Sequence, residues 1–250
     1  MIEIDPDKIK TVWFDLDDTL WDFRHNSHET LKEVYSKFKL ERFWEDSESW
    51  SRDYHSVNDP LWADYAKGAI TAKALRKRRF YDTFVAGGMN VYEAEANAEA
   101  ADIFYLVQLG KKDKNIDGAI ELLKSLKSQN FRIGILSNGF ADVQKAKLTS
   151  SGLIDFIDFI ITSDAAGINK PDVRIFRYAE SLADVGSNHC IMIGDNGETD
   201  IAGALAAGWH MAVWFNVDNK IPGDSLCRSL SLPCTLSVVS DLREIDLKIG

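Results

Sequence analysis

Val12-Trp13-Phe14-Asp15-Leu16-Asp17-Asp18-Thr19-Leu20 decides the fold. A β-favouring apolar run breaks off into three acids, a threonine and a leucine. Taken alone, the acids have a plain explanation, because Asp accepts backbone N–H bonds in turns and helix N-caps. Carboxylates crowded at the end of a buried strand also repel and lose hydration, which a cation or a shared proton offsets. The downstream sequence decides between these explanations.

From about Ile116 onward, helices alternate with short apolar strands. Helical spacing covers 117–128, 141–151, 171–182 and 199–207, and apolar runs cover 131–136, 156–162, 189–193 and 210–215. Continuous apolar strands between helices indicate a parallel sheet covered on both faces, with right-handed crossovers. The run Thr11–Phe14 has the same character and belongs to that sheet. The intervening stretch, 23–110, reads as helices only, over 26–38, 45–67, 71–85 and 91–109, with Pro60 expected to kink or break the second near Asp59. The fold class is therefore α/β: a Rossmann-like parallel core (1–22 and 111–250) with an inserted all-helical cap domain (23–110). Hinges are expected near 22–24 and 110–114. The segment 221–250 reads as a closing loop, a strand at 235–239 and a final helix.

Parallel sheets bind ligands outside the C-terminal ends of their strands. Here those ends carry Asp15 and Asp17, then Ser137-Asn138-Gly139, then a loop to Lys170-Pro171, then Gly194-Asp195-Asn196 with Thr199-Asp200. Each alone is an ordinary turn, cap or surface lysine. Their convergence on one edge suits phosphate-ester chemistry. A carboxylate, Asp15, attacks phosphorus and divides a very slow hydrolysis into two steps. Asp17, two residues on, protonates the leaving oxygen and then deprotonates water. Ser137 and the N–H groups of Asn138 and Gly139 suit the phosphoryl oxygens, and Gly139 lets the backbone come close. Lys170 neutralises Asp15 and the transferring group. Hard oxygen ligands point to Mg2+, held by the Asp15 and Asp195 carboxylates and the Asp17 carbonyl. Asp200 holds a metal-bound water, orients Lys170, or serves only as an acid at a helix N-terminus.

This pattern resembles the haloacid dehalogenase-like phosphatase superfamily over nearly the whole chain. Asp15-Leu16-Asp17-Asp18-Thr19-Leu20 is similar to its first motif, Ser137 to its second, Lys170-Pro171 to its third, and Gly194-Asp195 with Asp200 to its fourth. The resemblance implies a cap inserted after the first motif. Dehalogenases proper lack the second aspartate of that motif, so Asp17 implies phosphoryl chemistry. The cap segment Val57-Asn58-Asp59-Pro60-Leu61-Trp62-Ala63-Asp64-Tyr65, Gly68-Ala69-Ile70-Thr71, and the segment 131–140 are similar to house-cleaning pyrimidine nucleoside 5′-monophosphatases. That implies a 5′-nucleotidase for pyrimidine nucleoside monophosphates. The alternatives are a phosphosugar phosphatase or phosphomutase on the same scaffold, and a non-catalytic interaction protein. Within the cap, Tyr54, Val57, Leu61 and Tyr65 form a helical stripe that reads as packing. Trp62 and Asn58 lie beside it, either packing or contacting a base by stacking and hydrogen bonding.

Composition is consistent with this. Net charge is −10, from 29 basic and 39 acidic residues, which argues against a nucleic-acid polymer or an anionic membrane as partner and leaves a small phosphorylated metabolite. Cys190, Cys227 and Cys234 have no zinc spacing, and Cys190 reads as a buried inert thiol. His25, His28 and His55 have no metal-ligand spacing. A charged segment follows Met1, and no apolar run is long enough to span a bilayer. A cytoplasmic location is expected.

Overall fold

A computed structural model describes residues 2–217 and 236–247. It divides into two compact units, Met1–Asp22 with Asp113–Gly250, and Phe23–Lys112.

The first unit holds β1 (Ile2–Ile4) and β2 (Thr11–Phe14). The second unit is four helices, α1 (Phe23–Lys37), α2 (Ser47–Ala66), α3 (Ala72–Ala86) and α4 (Val91–Leu109). The chain then returns to the first unit through α5 (Ala119–Ser128), β3 (Arg132–Ser137), α6 (Ala141–Ser150), β4 (Phe159–Thr162), α7 (Ser163–Ala166) and α8 (Val173–Ala183). It continues with β5 (Cys190–Gly194), a π-helical turn over Gly197–Ile201, α9 (Ala202–Ala206), β6 (Met211–Phe215), β7 (Leu236–Val239) and β8 (Ile245–Leu247).

Six strands form a parallel sheet in the order β4-β3-β2-β5-β6-β7. The first strand of the sheet in sequence is thus central, and Phe14 pairs with Ile135 on one side and Ile193 on the other. Every residue of β2 and β5 is buried, as a sheet covered on both faces requires. Trp13 stacks on Phe159 at 5.8 Å and lies 6.2 Å from Trp209. Gly134 makes room for it, since a Cβ there would stand 2.3 Å from the Trp13 ring. This packing fixes where β2 ends. Asp15 is still tied to the sheet by its N–H to the Ile193 carbonyl, 2.9 Å.

The second unit closes on an aromatic core of Trp44, Trp50, Tyr54, Phe80, Phe84 and Tyr105. Asp46, Thr71 and Asn90 cap α2, α3 and α4 with side-chain acceptors, satisfying amides that the first turn leaves open. The expected break at Pro60 does not occur, and α2 runs through it to Ala66. Proline forfeits one backbone bond there, but buried Tyr54, Asn58, Leu61 and Tyr65 anchor the helix on both sides.

The expected final helix is also corrected. Leu242–Glu244 is a single 3-10 turn, and Ile245–Leu247 is a strand pairing in parallel with Ile2–Ile4. Ile-Asp-Leu has the period of two that suits a strand beside Ile-Glu-Ile. β1 itself was not foreseen. The closing loop expected from 221 on, with both Cys227 and Cys234, lies outside the described residues, as does 235. Among the described residues no helix is long and apolar enough to cross a membrane.

Candidate active site

The first unit brings Asp15, Asp17, Ser137, Lys170, Asp195 and Asp200 to the C-terminal edge of its sheet, where Asp15, Lys170 and Asp200 form one hydrogen-bonded group and Asp17 and Ser137 share a second through Gln144. Lys170 Nζ donates to Asp15 Oδ1 and to Asp200 Oδ1, both at 2.6 Å. Lys170 is 1% exposed and Asp200 is fully buried. Gly194 makes this possible, because a Cβ at that position would stand 2.3 Å from Asp200 Oδ2. The other Asp200 oxygen accepts the Asn196 N–H at 3.1 Å. Asp200 is therefore oriented as the partner of Lys170 from the π-helical turn after β5. Lys170 is held from behind by Asn138, whose Oδ1 accepts the Lys170 N–H at 2.8 Å and whose Nδ2 donates to the Lys170 carbonyl at 3.0 Å. Asn138 thus fastens the loop after β3 to the loop before α8.

Burial pushes the Asp15 carboxyl up to about 7, against the pull of Lys170 and with the charges of Asp200 and Asp17 adding to the rise. Burial likewise pushes Asp195 up to about 9, with the charges of Asp15, Asp200 and Asp18 contributing. For Lys170 burial works against the charge, but Asp15 and Asp200 outweigh it and hold the ammonium above its ordinary range. Asp15, Asp195 and Asp200 each present a carboxylate oxygen, all within 4.8 Å of one another. Three buried or half-buried carboxylates of which one ammonium offsets only part suit a hard divalent cation such as magnesium.

Asp17 sits differently. Its Oδ1 accepts from Lys147 Nζ at 2.6 Å and its Oδ2 from Gln144 Nε2 at 2.9 Å. Gln144 Nε2 also donates to Ser137 Oγ at 2.6 Å. The Gly139 N–H donates to the same Oγ at 3.1 Å. The space beside Gly139 is filled by Gln144, whose Nε2 would stand 2.5 Å from a Cβ placed there, so the glycine accommodates this amide. Thr19 also does more than shape a turn, since its hydroxyl donates to Asp195 Oδ1 at 3.4 Å. Asp18 takes the turn conformation, at φ 56°.

Gln144 and Lys147 were not singled out from the sequence. Both face inward on α6, between buried Val143 and Leu148. The available signal was a polar pair at positions where the helical period calls for apolar residues. The expected base-contacting residues, Asn58 and Trp62, belong to the helical unit. Asn58 is buried, accepts from the Tyr54 hydroxyl and donates to Asp59, each at 3.3 Å. Trp62 meets Tyr65 edge-on at 5.7 Å. Cys190 is buried, and burial pushes its thiol up to about 12, which fits an inert packing residue.

The likeness to known proteins extends well beyond these residues. The chain is 33% identical to the pyrimidine 5′-nucleotidase YjjG of Escherichia coli over 210 residues, 84% of this chain and 87% of that one. It is 28% identical to the pyrimidine 5′-nucleotidase PynA of Streptococcus pneumoniae, over 83% and 84% of the two chains. The crystal structure of the HAD-hydrolase YfnB of Bacillus subtilis, described as bound to magnesium and as revealing interdomain movement, superposes with a TM-score of 0.79 at 26% identity, covering 95% of this chain and 96% of that one. The haloacid dehalogenase-like hydrolase model matches residues 9–208, from just before β2 to just after α9, and so takes in the ends of β2, β3, β4 and β5 and the residues that follow them. With that span, and a relative at one-third identity along most of both chains, the chain belongs to the haloacid dehalogenase-like hydrolase family.

Proposed function

We propose that this hydrolase is a magnesium-dependent phosphomonoesterase that works through an aspartyl-phosphate on Asp15 and acts on nucleoside 5′-monophosphates, pyrimidine ones first. The observation that carries the reading is the Asp15–Lys170–Asp200 array, with both bonds at 2.6 Å and all three groups in a buried corner of the sheet edge. Such an array presents a carboxylate oxygen that cannot move far, next to a positive charge that does not dissociate.

In the first step the free Asp15 oxygen attacks phosphorus, the ester P–O bond breaks, and Asp17 gives its proton to the leaving oxygen. In the second, Asp17 takes a proton from water, the water oxygen attacks phosphorus, and the bond to Asp15 breaks to release phosphate. Lys170 offsets charge on Asp15 and on the phosphoryl oxygens throughout. Ser137 donates its hydroxyl to one phosphoryl oxygen. Asp15, Asp195 and the Asp17 carbonyl would hold magnesium, with Asp200 behind them. A divalent cation there supplies further positive charge for the phosphoryl group and favours the ionised form of Asp15. The helical unit, 23–112, serves as a cap in this reading, with Asn58 and Trp62 beside the base. Nucleotide preference is supported by the likeness to YjjG and PynA.

The test is phosphate release from a panel of pyrimidine and purine 5′-monophosphates and sugar phosphates, with magnesium and with EDTA. Turnover is expected to be fastest on pyrimidine nucleotides, lost in EDTA, and reduced by about 10⁴-fold or more in Asp15→Asn, which keeps the shape but not the nucleophile. Wild-type rates in Asp15→Asn would refute the mechanism. A sugar phosphate as the fastest substrate would replace the nucleotide reading.

A further inference from the structure

We infer that Gln144 is a positioning residue that sets Ser137 and Asp17 for the reaction together, with Lys147 as a second anchor for Asp17 alone. The inference rests on the phosphatase reading of the site.

A serine hydroxyl has one proton and two acceptor lone pairs. At Ser137 two donors, the Gly139 N–H and Gln144 Nε2, approach Oγ at 3.1 and 2.6 Å. Both lone pairs are then taken, and the hydroxyl is left only as a donor. That is the role a phosphoryl oxygen needs from it. The same Gln144 nitrogen spends its second proton on Asp17 Oδ2 at 2.9 Å. One amide group therefore fixes the spacing between the phosphate-facing hydroxyl and the acid/base carboxylate. Lys147 Nζ takes the other Asp17 oxygen at 2.6 Å, while its ammonium lies 4.6 Å from the Trp21 ring centroid. Each Asp17 oxygen accepts one donor and keeps another lone pair, so the carboxylate can carry and deliver a proton while held.

Stability alone gives no reason for glutamine here. Gln144 is fully buried, and its Oε1 has no hydrogen-bond partner. A buried acceptor left unpaired is costly, and an apolar side chain of similar length would avoid that cost. Gly139 also forgoes a side chain to admit the amide. These features fit a residue placed for what its nitrogen does.

The experiment compares kcat/KM for a nucleoside 5′-monophosphate and for p-nitrophenyl phosphate in saturating magnesium. The alkoxide leaving group needs a proton from Asp17, and p-nitrophenolate leaves without one. Lys147→Met removes a donor from Asp17 and the ammonium from the Trp21 ring, and leaves both donors to Ser137 Oγ in place. It is expected to lower the nucleotide value by about 100-fold and to leave the aryl value within about twofold. Gln144→Met touches both groups, and is expected to lower the aryl value about tenfold and the nucleotide value by a further factor of about ten or more. Lys147→Arg, which keeps the charge, should restore most of the nucleotide rate. The melting temperature of Gln144→Met should be unchanged or higher. Equal losses on the two esters in both variants, or a fall in melting temperature that accounts for the loss, would overturn the inference and leave the phosphatase reading intact. A wild-type protein that releases phosphate from neither ester would overturn that reading and the inference with it.

Discussion

Lys170→Met is the substitution whose cost follows most directly from the geometry. The ammonium is 2.6 Å from each of two carboxylate oxygens, and all three side chains are buried. At an effective dielectric of about 20, each pair is worth about 6 kcal/mol of Coulomb energy. Desolvation of the ions opposes most of that while the pairs are intact, but once the lysine is gone the carboxylates keep their desolvation cost and lose their compensation, for a net loss of about 3–5 kcal/mol. The assay is urea unfolding at pH 8 in EDTA, followed by circular dichroism. Asp200→Asn in the Lys170→Met background removes one of the stranded charges and should recover a large part of the loss. In the wild-type background it should be destabilising, because it leaves Lys170 short of a partner. The deficit should also depend on pH. Without Lys170, buried carboxyls bind protons in the fold that the unfolded chain releases near pH 4, so the folded state holds more protons and stability falls as pH rises. The deficit of Lys170→Met is therefore larger at pH 8 than at pH 5. A loss below about 1 kcal/mol, or an Asp200→Asn effect of the same size and sign in both backgrounds, would refute the reasoning.

The metal-free wild type follows the same logic. Burial and the neighbouring carboxylates raise Asp15 and Asp195 in the fold, so its melting temperature should fall from pH 5 to pH 9, and magnesium should raise it more at pH 8 than at pH 5. A melting temperature that rises with pH, or a fall of the same size in Asp195→Asn, would count against the assignment. Gly194→Ala places a methyl group 2.3 Å from Asp200 Oδ2. It should cost about 1–3 kcal/mol in urea unfolding and lower phosphate release by displacing Asp200 from Lys170; unchanged stability and turnover would show that the contact yields freely.

What could be read from the chain, and what could not, follows from how far each interaction reaches in sequence. The sheet was legible because strands buried on both faces leave unbroken apolar runs, and Thr11–Phe14 was delimited by its own residues. Asp15 and Asp195 were legible because each stands where such a run stops. The hydrogen bonds joining them were not legible. Asn138 clasps a lysine 32 residues away, and Lys147 meets an aspartate 130 residues away. Nothing local distinguishes either residue from an ordinary turn or helix position. The period of α6 does offer a partial signal, since Gln144 and Lys147 occupy its inward face beside Val143 and Leu148. An inward polar residue needs a partner, and only the tertiary structure says which. The same limit explains the C-terminus, where Ile245–Leu247 becomes a strand because Ile2–Ile4 lies beside it. The two halves of the proposed reaction thus differ in how the chain encodes them. Asp15 ends a buried strand and Lys170 lies in the loop after α7, whereas the groups proposed to hold Asp17 and Ser137 sit on a helix face that resembles packing until its partners are known.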